Sequence, residues 1–167
     1  MFYFAYGSNL HPEQMRERAP AHRLVGLAAL KDHRMEFPLY SPRWGGGVAS
    51  VRPQRGEMVW GVVYDVTESD LATLDGHEGF RATGDQHNVY DRPALTVELT
   101  RPDDGSVPRR LRVWAYVARP SNPSPPSRRY LERVIAGAHE HGLPEDYVAR
   151  LSATPVLEEG EETAPAS

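Results

Sequence analysis

The chain has 167 residues and 18.7 kDa, room for one ordinary domain. It has no cysteine, which excludes disulfide frameworks, Cys-based zinc sites, iron–sulfur clusters and thiol nucleophiles. Nineteen Lys and Arg against 23 Asp and Glu leave a net charge of −4 with the basic residues scattered, so nucleic acid is not an expected partner.

No apolar run approaches the roughly 20 residues that cross a bilayer, so no membrane partner is expected. The apolar opening Met1–Tyr6 has no basic leader and stops at Gly7, so no signal peptide is expected either, and the cytoplasm is the expected compartment.

Residues 2 to 6 are aromatic and apolar and run into Gly7-Ser8-Asn9, the pattern of a buried strand ending in a tight turn. Pro12 and Glu13 then suit the first turn of a short helix that reaches about Arg18 before Pro20. Residues 22 to 40 alternate partially and carry no helical stripe, which predicts two extended segments. Gly45-Gly46-Gly47 reads as a flexible loop, and 48–51 and 58–66 as two further strands, the second apolar enough to be central.

Thr67 is a good N-cap for a short helix with Leu71 and Leu74 on one face, closed by Gly76 and Gly79, with His77 and Glu78 at its exit. Residues 89–100 and 110–118 read as a hairpin joined through Pro102-Asp103-Asp104-Gly105. Three prolines between Ser121 and Ser127 predict a surface crossing. Ser127 then caps the clearest helix, in which Leu131, Val134, Ile135 and Ala138 share a face; Gly142 stops it, and Pro144 opens another to about Leu151. The expected organisation is a single domain over 1–155 and an acidic, disordered tail over 156–167. Successive strands without regular helical crossovers indicate an α+β domain around a small barrel-like sheet rather than a Rossmann arrangement.

Three features can carry chemistry. Around Tyr6-Gly7-Ser8-Asn9-Leu10 a strand ends in small residues ahead of a helix, so several amides can converge on a carboxylate or oxyanion; an ordinary capped turn has the same spacing. Glu78 sits beside Phe80, an apolar pocket candidate, and burial there would raise its pKa into the range useful for moving protons; a solvated surface glutamate fits the same pattern. Asp75, three residues earlier, could share its face as a carboxylate pair or be a plain surface charge. Tyr90, Tyr116 and Tyr130 can line a pocket or serve as core residues with a polar tip. His139 and His141, two apart on a helix, cannot jointly ligate one ion, and no metal site or cofactor motif is present in the sequence.

Taken together, Tyr3-Phe4-Ala5-Tyr6-Gly7-Ser8-Asn9-Leu10 and Leu74-Asp75-x-x-Glu78-Gly79 resemble the γ-glutamylcyclotransferase family. Trp60-Gly61-Val62-Val63-Tyr64, Pro125-Pro126-Ser127-x-x-Tyr130 and Gly137-Ala138-x-x-x-Gly142-Leu143-Pro144-x-x-Tyr147 extend the resemblance over residues 2 to 152. It implies a small mixed β-barrel flanked by short helices, with the pocket at one barrel end. It also implies that Tyr6, Gly7, Ser8, Asn9 and Leu10 hold a small-molecule γ-glutamyl substrate, that Glu78 is the acid–base residue, and that Tyr130, Tyr116 and Tyr90 line the pocket. The segment 81–88, ahead of Tyr90, departs from the family pattern by its length.

The resemblance implies cyclisation: the substrate's α-amine closes on its own γ-carbonyl, releasing 5-oxoproline and an amino acid, with no cofactor and no metal. A homodimer is compatible with it. Two other readings differ in substrate or in class: the same cyclisation on a γ-glutamyl amine or a γ-glutamyl-protected biosynthetic intermediate, and a non-catalytic small-molecule-binding relative.

Overall fold

The computed structural model describes residues 1–100 and 109–158, so the expected hairpin turn at 102–105 and the tail from 159 onward lie outside the described residues. Its centre is a closed barrel of five strands: β1 (Phe2–Ala5), β2 (Arg23–Ser41), β3 (Gly46–Asp65), β5 (Ala94–Leu99) and β6 (Arg110–Trp114). Their order round the barrel is β1-β3-β2-β5-β6. Neighbours pair antiparallel except at the closing seam, where β1 meets β6 in parallel at Tyr3 and Trp114. The short strands β4 (Tyr90–Asp91) and β7 (Val117–Ala118) pair outside the barrel. Arg92-Pro93 and Ala115-Tyr116 interrupt what the sequence suggests are two unbroken strands.

Residues 22–40, expected as two segments, form one strand, and 48–51 and 58–66 are two parts of another. What separates them in sequence is a set of bends, not turns. The β2–β3 register shifts between Leu24 and Gly26, Lys31 and His33, and Glu36 and Leu39. At the middle shift Asp32 and Gly56 both have positive φ (56° and 84°), and the Gly56 amide donates to Asp32 Oδ1 at 2.9 Å. Bulges of this kind increase twist and let a long ribbon curl; beyond the middle shift Leu39 of β2 is bridged in parallel to Ser121.

The expected glycine loop needs a further correction. Gly45 alone turns the chain (φ 69°), while Gly46 and Gly47 are buried members of β3. The proline-rich crossing runs alongside: the Gly47 amide donates to Pro125 O at 2.9 Å, and the Ser124 amide to Phe37 O at 3.2 Å. A Cβ on Gly47 would stand 1.9 Å from Ser124 O, and one on Gly46 2.4 Å from Ser127 N. Close backbone approach, and not flexibility, accounts for both glycines.

Four helices cover the barrel: α1 (Pro12–Arg18), α2 (Glu68–Glu78), α3 (Arg128–His141) and α4 (Glu145–Ser152). The Thr67 and Ser127 side chains accept from the Asp70 and Tyr130 amides as expected, caps worth about 1 kcal/mol each. Gly76 lies inside α2, and Gly79 (φ 65°) ends it. A single 3₁₀ turn, Ser8–Leu10, joins β1 to α1, and α3 lies directly on it. A Cβ on Gly137 would come within 2.4 Å of the Leu10 carbonyl carbon. The Leu157 amide, inside the expected tail, donates to Pro126 O at 3.0 Å, so ordered chain extends past residue 155. Among the described residues no helix is long and apolar enough to cross a membrane.

Gly76 and Gly137 allow a direct test of packing against helix propensity. Nothing lies within 4 Å of a Cβ on Gly76, so Gly76→Ala should stabilise the protein by roughly 0.5–1 kcal/mol. Gly137→Ala gains the same propensity but must push α3 off the Ser8–Leu10 turn, a net loss of about 1–3 kcal/mol. Urea unfolding midpoints of the two variants should therefore move in opposite directions; a gain in both would show that α3 does not need this contact.

Candidate active site

The end of β1, the tip of the β2–β3 hairpin and the C-terminus of α2 enclose a cavity of about 330 Å³. Tyr6, Gly7, Ser8, Asn9, Glu78, Tyr90, Tyr116 and Tyr130 all line it, so residues separated by more than a hundred positions meet in one place. Leu10 does not. Its side chain is fully buried, its amide donates to Gly7 O at 3.0 Å, and its carbonyl faces His141 Nε2 at 3.0 Å. Phe80 is absent from the lining as well: it packs beneath Arg92, whose guanidinium lies 4.9 Å from the Phe80 and Trp114 ring centres.

Glu78 is the last residue of α2. Gly79, in the left-handed conformation, lets the Phe80 amide return to Asp75 O at 2.9 Å, which closes the helix and fixes where Glu78 points. Its side chain is 18% exposed. Asn9 Nδ2 lies 3.5 Å and Arg18 Nη1 3.8 Å from its Oε1. Burial raises the carboxyl to about 7, against the opposing pull of the Arg18 and Arg43 cations. The group is therefore poised to exchange a proton near neutrality.

Asn9 is the hub beneath Glu78. Its Oδ1 accepts from Gln14 Nε2 (2.9 Å) and Arg18 Nη1 (3.1 Å), while Nδ2 donates to the Tyr3 hydroxyl at 2.9 Å. Gln14 Nε2 also donates to Ser8 Oγ at 2.8 Å. These contacts fix the side chains of the Ser8–Leu10 turn and leave its leading edge free. The amides of Gly7 and Asn9 have no partner among the described residues, and that of Ser8 lies beside the Tyr130 hydroxyl. From below, Tyr64 donates to Asn9 O at 3.3 Å.

The tyrosines are held by their hydroxyls. Tyr130 accepts from the Ala49 amide (2.9 Å) and Tyr90 donates to Ala49 O (3.1 Å), so both meet on one residue of β3. Tyr6 donates to Tyr116 O, and Tyr116 donates to Asp75 Oδ1 at 2.8 Å. Burial raises the pKa of all four, so each is a neutral phenol at any ordinary pH. Asp75 forms no carboxylate pair with Glu78; it takes the Tyr116 hydroxyl and lies 3.2 Å from Arg92 Nε. The long segment before Tyr90 is stapled by Asn88, which accepts from the Arg81 amide at 2.8 Å and donates to Ala82 O at 2.7 Å, so Tyr90 still reaches the cavity.

Sequence reasoning missed Tyr3, Arg18, Arg43 and Trp44, all in the lining. For Arg18 a signal existed: Gln14 and Arg18, four apart, share the face of α1 that buries Met15. A basic residue in a last helical turn otherwise reads as a solvated complement to the helix dipole.

A closed mixed barrel with four short helices and a tyrosine-walled cavity around one buried carboxylate defines the γ-glutamylcyclotransferase-like class of α+β fold. The model of the AIG2-like family matches residues 58–151. Over 155 residues the chain is 32% identical to gamma-glutamylcyclotransferases of Mus musculus and Homo sapiens, covering 90% of this chain and 77% of each relative. A solved structure titled gamma-glutamyl cyclotransferase superposes with a TM-score of 0.83 at 29% identity, over 100% of this chain and 93% of that one. The chain belongs to the AIG2-like family and, within it, to the gamma-glutamylcyclotransferases.

The raised carboxyl has a consequence for stability. Its folded-state value of about 7 lies above the ordinary 4.5, so folding favours the protonated form. Stability from this group is complete below pH 4.5 and is lost as pH rises through 7, at a cost of about 3 kcal/mol above that. Glu78→Gln should therefore be more stable than the parent by roughly 2–3 kcal/mol at pH 8, with the gain vanishing below pH 4.5. Denaturant melts at the two pH values check this; an equal gain at both would mean that the carboxylate is not desolvated.

Proposed function

We propose that this chain cyclises γ-glutamyl amino acids or dipeptides, releasing 5-oxoproline and a free amino acid, with Glu78 as the acid–base residue. The α-amine attacks the γ-carbonyl of its own glutamyl group, so the nucleophile belongs to the substrate and the protein has to hold, orient and move a proton. Glu78 as carboxylate receives the substrate's ammonium and takes one proton to free the amine, which closes on the carbonyl. Glu78 gives that proton to the departing nitrogen as the old C–N bond breaks, and the second proton shed by the new ring nitrogen completes the ammonium of the released amino acid. One C–N bond forms and one breaks, without net uptake of water.

The observation that carries this reading is a carboxyl raised to about 7 by burial that shares one cavity with a turn whose Gly7 and Asn9 amides have no partner among the described residues. General acid–base help of this kind is worth roughly 10²–10⁴-fold. The amides of Gly7 and Asn9, unpartnered among the described residues, suit the substrate's α-carboxylate as dipoles fixed before the substrate arrives. Neutral tyrosines wall the cavity without adding a competing anion, and orienting a flexible glutamyl chain supplies part of the acceleration. The cytoplasm as compartment and a homodimer as state belong to the proposal through the sequence reading and the family resemblance alone.

Purified protein incubated with γ-glutamyl-alanine should form 5-oxoproline, followed by mass spectrometry, and Glu78→Gln should lose 10²–10⁴-fold of that rate while folding normally. Retention of activity in the variant would remove Glu78 from the mechanism, and glutamate as product would make water the nucleophile. The pH profile is a second check. Because the reaction needs the ionised form, kcat/KM should fall tenfold per pH unit below about 7. Arg18 lowers the Glu78 pKa, so Arg18→Met should move that acid limb to higher pH, with the rate recovering in alkali. A variant that merely misfolds would not recover.

A further inference from the structure

Tyrosines apart, the ionisable side chains lining the cavity are Arg18, Arg43, His77 and Glu78. Arg18 is already answered, by Glu78 and by Asn9 Oδ1. Arg43 is not. It lies in the turn between β2 and β3, is exposed at the outer wall of the cavity, and has no ion-pair partner among the described residues.

Arg43 is also not a loose surface side chain. Its guanidinium carbon stands 5.7 Å from the Trp44 ring centre, and its carbonyl accepts from Arg129 Nη2 at 2.7 Å. Arg129 and Arg133 approach the same ring at 4.9 Å and 5.5 Å. Three cations round one indole, none with a carboxylate partner among the described residues, make this wall strongly positive in a protein of net charge −4. The field reaches inward: the Arg43 charge pulls the pKa of both Glu78 and His77 downward.

The proposed reaction accounts for two of the three charges on a γ-glutamyl amino acid. Its α-ammonium goes to Glu78 and its α-carboxylate to the amides of the Gly7–Asn9 turn. The third, the carboxylate of the departing amino acid, is without a partner on that side of the cavity, while the outer wall holds an unanswered guanidinium. We infer that Arg43 is a specificity-determining residue that reads a carboxylate on the departing part of the substrate, supported by the cations that share its indole. The inference rests on the cyclisation reading and deepens it: substrates whose leaving amine carries an adjacent carboxylate are preferred over simple γ-glutamyl amines. A guanidinium suits the task because its planar fork can grip both carboxylate oxygens.

The test compares γ-glutamyl-alanine with γ-glutamyl-ethylamide, the same compound without the carboxylate. Loss of Arg43 also alters the field at Glu78, but that change is common to both substrates, so the ratio of their kcat/KM values isolates the contact. Wild type should favour γ-glutamyl-alanine, and Arg43→Ala should reduce the ratio about tenfold, chiefly through KM because the contact exists before and during reaction. Arg43→Lys should recover part of the ratio, and Arg43→Glu should reduce it further. An unchanged ratio in Arg43→Ala overturns the inference. If wild type makes 5-oxoproline from neither compound, the cyclisation reading is what fails. Calorimetric titration of both compounds into wild type and Arg43→Ala then judges Arg43 separately: selective loss of γ-glutamyl-alanine binding supports its role, and equal affinities in the two proteins overturn it.

Discussion

The site depends on keeping one carboxylate largely out of water at the wrong end of a helix. As the last residue of α2, Glu78 sits where the helix dipole presents partial negative charge, which adds to the cost of desolvating it. A carboxylate in such a position survives if something nearby offsets its charge without drowning its basicity. Arg18 at 3.8 Å and Asn9 at 3.5 Å stand at the edge of contact and no closer. A tight bidentate pair would hold the carboxyl well below its ordinary value and leave it a poor base; here burial wins and the value rises to about 7.

Holding that balance requires fixed distances, and the fold supplies them by backbone contact more than by side chains. Gly137 brings α3 onto the Ser8–Leu10 turn that carries Asn9, and Gly47 brings the proline-rich crossing onto the hairpin whose tip closes the cavity. Ala49, two residues further on, receives both Tyr90 and Tyr130. Two of the hydroxyls that shape the cavity are thus tied to β3 itself, which runs from the hairpin tip into the barrel wall.

Local patterns carried most of the helical half of the structure. Thr67, Ser127, Gly79 and Gly142 act as the caps they resemble, because capping is decided within four or five residues. The long strands were not legible for the converse reason. Asp32 and Gly56 look like turn residues and are bulge residues, and the choice is made by a partner strand some twenty positions away. Gly46-Gly47 likewise carried no mark of the crossing at 124–127 that requires them to lack a side chain. At the site, the family motifs brought Tyr6 to Asn9, Glu78 and three tyrosines to one cavity, but whether Glu78 was buried or solvated stayed open until α1 and the β2–β3 turn were in place. Leu10 shows the limit of carrying a motif over as a block: its neighbours face the cavity, and it faces the core.

The two arginines of the lining divide what a single one could not do. Arg18, buried and already engaged by Asn9, acts on Glu78 before any substrate arrives, since its position does not depend on what enters. Arg43, exposed on a turn and without an ion-pair partner among the described residues, is available to whatever reaches the mouth. Under the proposed reaction this separation matters for turnover. The product 5-oxoproline no longer has a basic amine to pair with Glu78, and the released amino acid is no longer covalently tied to the group held by the turn amides. Cleavage thus divides between two molecules the charges that the substrate held on one chain, so neither product keeps the full set of attractions that gathered the substrate.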